Sequence, residues 1–386
     1  MELPPFCPNP RCPLHTYDQA KAHPRFWRRA GIYHTKVSGR VQRYVCSVCG
    51  SGFSERTWSI DYYTKKVLNY RELQRGLSAS ENISALARHL DCSVASVQNR
   101  LDRLGRNALA LQARLLAGHH LSEQLCADGF ESFDSSQFFP NAIHLLVGSR
   151  SQFLYAWNHV TLRRKGRMTT QQRLKRQQYD KVFRPKPLAI QSAFTRLLAT
   201  IPPLWDHRSH PLLILHTDEH RAYPPAITHV PALDTARSLG SFRHDQYPST
   251  APRTLHNPLF PVNYYDRELR KDMAAFHRES VCFTRNVANG MLRLATYAVW
   301  HNYLKPYRIR PGSPPLPVHA VMAGIPQVAI DRELDRFFRH RAFLSQQELS
   351  PDMRTAWLKL HKTPLKTRPD YYPKFAHIGN LQGSTN

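Results

Sequence analysis

Four cysteines near the start of the chain have the residue type and spacing to hold a metal. They form two pairs, Cys7-Pro-Asn-Pro-Arg-Cys12 and Cys46-Ser-Val-Cys49. Each thiolate pair can grip one ion from one side, and two pairs close a tetrahedral sulfur site that suits zinc. Both halves lie in turn-forming sequence, with Pro8 and Pro10 in the first and Gly50 and Gly52 after the second. His15 and His34 could replace a ligand, but four thiolates already suffice. A closed four-ligand zinc has no open position for chemistry, so the expected role is structural. Residues 1–57 therefore read as a zinc ribbon, with short strands at Tyr44-Val45 and Gly52-Phe53-Ser54. So short a unit rarely holds together without its metal.

Two acids form the second candidate group. Asp128 lies in Leu125–Phe133, which reads as a strand, and Asp218 ends the apolar run 211–218. Two carboxylates joined by a third can hold two Mg²⁺ or Mn²⁺ ions, which clamp the attacking and leaving oxygens of a phosphodiester. Without cations, like charges so close would retain a proton. Ala142–Val147 and Phe153–Leu162 read as strands around the turn Gly148-Ser149-Arg150, and Pro187–Ile201 as a helix. A loop-rich stretch with Pro248, Pro252, Pro258 and Pro261 follows, then a long helical region from Tyr264 to Tyr303. Strand with acid, two strands, helix, strand with acid and long helix is the element order of an RNase H-like mixed α/β domain, here residues 119–310.

Residues 58–118 carry helical periodicity. Ser80 is positioned to cap a helix with Ile83, Leu86, Ala87 and Leu90 on one face. After the turn Asp91-Cys92-Ser93, Ser93 caps a second helix that faces inward with Val94, Val97, Leu101 and Leu104. Ser96, Gln98, Asn99, Arg100 and Arg103 are left outward, the residue types that read base edges and phosphates. The pattern is a helix-turn-helix; its plain alternative is a helical hairpin with a solvated face. A basic run, Arg163, Arg164, Lys165, Arg167, Arg173, Lys175 and Arg176, reads as a phosphate-contacting arm or a solvated surface. Beyond residue 310 the chain is basic and proline-punctuated, with one amphipathic helix near 331–345.

The chain has 386 residues, with 54 Lys+Arg against 28 Asp+Glu, a net charge of +26. The excess predicts a polyanionic partner, most simply double-stranded DNA. No apolar stretch is long enough to span a membrane, and no signal peptide precedes the cysteines, so a cytoplasmic, nucleoid-associated protein is expected. Cys92, Cys126 and Cys282 read as buried thiols in a reducing compartment.

Four stretches together resemble bacterial insertion-sequence transposases of the DDE class with an N-terminal zinc ribbon. They are Arg43–Cys49 with Phe53-Ser54, Asp128–Phe133, His216–Tyr223, and the helical region with Asn263–Arg270, His277–Phe283 and Trp300–Tyr303. The resemblance implies Asp128 and Asp218 as the first two acids of a divalent-metal site. It also implies end binding, strand cleavage and transfer, and a homo-oligomer on DNA. Such transposases place a glutamate early in the helix after the last strand and an asparagine one turn later. Here Asn263 and Asp266 stand at those positions. The third acid is then Asp266 or Glu279, about 20 Å apart if the helix is continuous; Glu268 is a further alternative. The competing expectations are a sequence-specific DNA-binding protein without catalysis and an RNase H-type nuclease.

Overall fold

The computed structural model describes residues 3–277, 283–308, 312, 314 and 316–370. The N-terminal unit has a short helix α1 (Tyr17–Lys21) and an antiparallel sheet in the order β1 (Trp27–Thr35), β2 (Gly39–Cys46), β3 (Gly52–Ser54). Its small core gathers Phe6, Leu14, Phe26, Tyr44, Phe53 and Trp58 around the buried cysteines. Strand β1 lies beyond the two expected strands. It buries none of its nine residues, so it has no apolar alternation to betray it.

Helices α2 (Tyr70–Ser78), α3 (Ile83–His89) and α4 (Val94–Leu116) follow. Ser93 caps α4 as expected, accepting from Ser96 N at 3.1 Å. The cap of α3 is Asn82, which accepts from Ala85 N at 2.9 Å. Ser80 does a different job: its N–H donates to Asp272 O at 2.8 Å and its Oγ to Lys271 O at 3.1 Å.

The larger sheet comprises β4 (Leu125–Phe133), β5 (Pro140–Gly148), β6 (Leu154–Thr161), β7 (Leu213–Asp218) and β8 (Phe242–Tyr247). Its order is β6-β5-β4-β7-β8. The pairs β4–β5 and β5–β6 are antiparallel, whereas β4–β7 and β7–β8 are parallel. The intervening helices are α5 (Thr170–Val182), α6 (Ala189–Leu198), α7 (Tyr223–Thr228) and α8 (Pro231–Ser238). After the sheet come α9 (Phe260–Asp272), α10 (Val287–Tyr303), α11 (His319–Met322), α12 (Gln327–Arg339) and α13 (Pro351–Trp357).

Register assigns the faces. Gly129 pairs with His144, whose ring packs on Phe194 of α6. Phe130, on the opposite face, packs on Phe276 just after α9. Asp128 shares the face of Phe130, since side chains alternate along a strand. The long helix expected over 264–303 is broken. Helix α9 stops at Asp272, Met273 is extended, and α10 begins only at Val287. Ser80 satisfies two of the last carbonyls of α9, which are otherwise orphaned at a helix end.

The segments set apart in sequence as 58–118, 119–310 and 311–386 contribute to one hydrophobic core running from Ile60 to Leu358. The amphipathic helix expected near 331–345 is α12, after which the chain crosses to the ribbon. Arg341 N donates to Trp58 O at 2.6 Å, Ile60 N to Arg339 O at 2.9 Å, and Phe343 joins the ribbon core. No helix among the described residues is long and apolar enough to cross a membrane.

Helices α4 and α10 meet at Gly105, where an added Cβ would lie 2.6 Å from Leu292 Cβ and O. Helix propensity alone favours Gly→Ala by roughly 1 kcal/mol. Here the helices must separate, so Gly105→Ala is expected to lower stability by about 1–3 kcal/mol. Chemical denaturation reads the sign; a more stable variant would refute the tight contact.

Candidate active site and metal cluster

The parallel pairing Cys126–His216 carries forward two residues to set Asp128 of β4 beside Asp218 at the end of β7. Neighbouring strands lie about 4.8 Å apart, so the two carboxylates emerge side by side. Helix α9 covers the Asp128 face and supplies Asn263, Asp266, Arg267 and Arg270, which recur at helical spacing on one side. These residues line a cavity of about 640 Å³ that also receives Glu131 and Arg253.

The carboxylates differ in their support. Asp128 Oδ1 accepts from Gly129 N at 2.6 Å, and Asp218 Oδ1 from His220 N at 3.1 Å. Asp266 Oδ1 is buried with no hydrogen-bond partner. Burial, then the charge of Asp218, pushes Asp128 up to about 6. Burial and the charge of Asp128 hold Asp266 well above the ordinary carboxylate range, against the pull of Arg270 and Arg253. Tyr223, stacked on Phe194 at 3.9 Å, is held protonated by burial and by Asp128, Asp218, Asp266 and Glu131. An oxygen-only donor set with an orphaned acceptor fits a hard divalent cation such as Mg²⁺ or Mn²⁺. Among the described residues, however, the group of ligands drawn together as a metal cluster is the four cysteines, whose ligand atoms lie within 4.8 Å of one another, and the three carboxylates form no such group.

Glu268 turns away from the cavity and pairs with Lys305 and with Lys271 at 2.9 Å. Glu279 lies outside the described residues, as does Cys282. Cys126 is buried, and burial pushes its thiol up to about 12; Cys92 is half-buried rather than buried.

Cys7, Cys12, Cys46 and Cys49 form one cluster able to hold a metal ion. Sγ–Sγ distances are 3.6 Å for Cys7–Cys49 and 3.9 Å for Cys12–Cys46. A tetrahedron of 2.3 Å zinc–sulfur bonds has edges of about 3.8 Å, so the geometry suits zinc. Tight turns aim the thiols: Cys12 N donates to Asn9 O, and Gly50, at φ +71°, lets its N–H reach Cys46 O. Burial raises the Cys7 and Cys12 thiols. At Cys49 burial is outweighed by hydrogen bonds from Ser51 and Asn9, which bring it down to about 6. Neither histidine takes part. His15 bridges Cys7 O and Ser345 Oγ at 2.7 and 2.6 Å, while His34 is exposed in β1.

The five polar residues of α4 require a correction, because their face is not outward. Arg100 is 5% exposed and Arg103 7%. Arg100 donates to Lys66 O and Arg103 to Ile60 O, both at 2.6 Å, and both guanidiniums meet Asn99 Oδ1. Gln98 bonds Asp102 and Arg293, and half-buried Ser96 lies 3.0 Å from the Ser93 hydroxyl. In the basic run, Arg163 is paired with Asp180 rather than open to a phosphate. Arg164 donates to Gln137 at 2.7 Å, and Lys165 is exposed ahead of α5, which buries no residue.

Sequence reasoning missed Arg253, Arg267, Arg270, Glu131 and Tyr223. The helical spacing from Asp266 could have found Arg270; the loop residue Arg253 carries no local signal. Neither protein-family models nor curated proteins match this chain.

Two outcomes are expected. The purified protein carries about one zinc per chain, and Cys46→Ala loses it by elemental analysis. Without divalent cation at pH 7, Asp128→Asn melts higher than wild type. The penalty on the buried carboxylate is present above its folded pKa of about 6 and vanishes as pH falls toward 3.8. The advantage of the variant must therefore fade over that window in melting curves.

Proposed function

We propose that the chain is a DNA-strand-transferring enzyme of the DDE transposase type, built on an RNase H-like sheet with a zinc ribbon in front. The observation that carries this reading is the convergence of Asp128, Asp218 and Asp266 on one cavity, where burial and neighbouring carboxylates raise Asp128 to about 6 and hold Asp266 well above the ordinary range. The strand order, with two acids on adjacent parallel strands and the third on the following helix, supports the fold assignment. The net charge of +26 supports a DNA partner.

In this reading Asp128, Asp218 and Asp266 hold the divalent cations. Bound there, the cations supply an activated water or 3′-hydroxyl and offset charge at phosphorus. Arg253 from its loop and Arg267 and Arg270 from α9 line the same cavity and orient the phosphodiester. Tyr223 remains protonated beneath the acids, a neutral hydroxyl beside Gly129. The ribbon and the basic surface hold the DNA. Because Arg100 and Arg103 are engaged within the protein, base reading falls to other residues.

That the metal-binding cluster among the described residues is formed by the cysteines and not by the carboxylates favours one second reading, a DNA-binding protein that does not cut. Strand cleavage and joining with Mg²⁺ or Mn²⁺ separates the two, using duplexes that carry the DNA flanking the protein's own coding sequence. Asp128→Asn, Asp218→Asn and Asp266→Asn are each expected to lose about two orders of magnitude or more in rate while still binding DNA. Glu219→Gln, which alters an exposed acid beside the site, should cut normally. Tight binding without cleavage by wild type would establish the second reading, and cleavage confined to RNA–DNA hybrids would indicate a nuclease.

A further inference from the structure

A second cavity, of about 1470 Å³, is a cleft between the ribbon and the body, away from the acids. Its ribbon wall carries Arg11 from the first cysteine turn, Tyr33 from β1 and Arg43 from β2. The facing wall carries Tyr62, Tyr63 and Arg341. All the lining residues are described ones, and none is Asp or Glu. The charged side chains that line the cleft are therefore all basic.

The aromatic residues are held ready for a planar ligand. Tyr62 and Tyr63 are consecutive, yet their ring centroids lie only 4.1 Å apart at 38°. That pairing requires Tyr63 at φ +56°, a left-handed backbone that a bulky residue rarely adopts. Tyr63 is also 79% exposed, so its ring is not placed there to fill a core. The Arg341 guanidinium stacks on Tyr62 at 4.3 Å and on Phe343 at 4.4 Å, holding Tyr62 in place behind the exposed Tyr63.

From this arrangement we infer that the cleft binds a stretch of unpaired nucleic acid, with bases stacked on the tyrosines and phosphates met by the arginines. A duplex keeps its base faces stacked on each other and offers the rings nothing. An unpaired strand offers both a face for every ring and a charge for every arginine. The inference shares with the proposed function the assumption of a nucleic-acid partner, but it does not depend on catalysis.

The test is fluorescence anisotropy of a labelled oligothymidine of about a dozen nucleotides. The full-length protein is used without chelator or added divalent cation, with a duplex of equal length alongside. Tyr33→Ala/Tyr63→Ala is expected to weaken single-strand binding at least tenfold with duplex binding changed less than twofold, and Tyr33→Phe/Tyr63→Phe to restore it. Arg11→Gln/Arg43→Gln should reduce the slope of log affinity against log salt by about 1.4 for the single strand. Binding is read without cleavage, so a failed cleavage assay leaves this result standing. An alanine variant with wild-type melting and undiminished single-strand affinity overturns the inference. Equal losses on duplex and single strand, or an unchanged salt slope, do so as well.

Discussion

Everything else in the body is arranged around α4, a helix buried on all sides from Arg100 to Gln112. One side is apolar and close enough to α10 that Gly105 has no room for a methyl group. The other side is polar but equally dry. Arg106 donates to Trp357 O at 3.1 Å, Asn107 to Phe337 O at 2.9 Å, and Arg114 pairs with Glu333 at 2.7 Å. Buried donors need such partners, and here the C-terminal segment provides them. The position of α10 then propagates outward. Tyr297 on α10 bonds Asp272 at the end of α9, and α9 carries Asp266 to the cavity.

Two buried acids show how different a structural carboxylate is from a candidate functional one. Asp134 is fully buried, yet it accepts from Asn141 at 2.7 Å and from Thr161 at 2.6 Å, and lies 2.9 Å from His159. Every demand of that carboxylate is met within the protein. Asp266 sits one oxygen short, on the same cavity as Asp128 and Asp218, and its site leaves a requirement for positive charge unfilled. A chain so rich in cations has no shortage of arginines to spend there. Three line the cavity, two of them on α9 with Asp266, and their pull is outweighed by the burial of the acids.

Much of this was legible in the sequence where the signal is local. Cysteine spacing marked the cluster able to hold a metal, because ligand geometry constrains both type and interval. Strands β4 to β7 carry buried or alternating apolar residues and stood out; β8 buries only Phe242 and did not. The face of α4 was misread for a physical reason. Ser, Gln, Asn and Arg on a helix suit DNA, solvent or backbone carbonyls equally, and only the fold reveals that Lys66 and Ile60 are the recipients. The break after α9 was likewise hidden, since the group that ends it is Ser80, far away in sequence. Asp266 was legible only through the family resemblance, and its neighbour Arg253 comes from a loop with no pattern.

The crossing of residues 339–346 onto the ribbon ties the first part of the chain to nearly the last. His15 contacts Ser345 and Gln346, some 330 positions later. The ribbon takes its cysteine cluster and most of its small core from residues 6–58, but Phe343 completes that core. Its seat on the body does not exist until α12 and the segment behind it have been made. Until residues 339–346 have been made, therefore, the nascent ribbon has no seat and lacks Phe343 from its core, and the two walls of the aromatic cleft cannot come together.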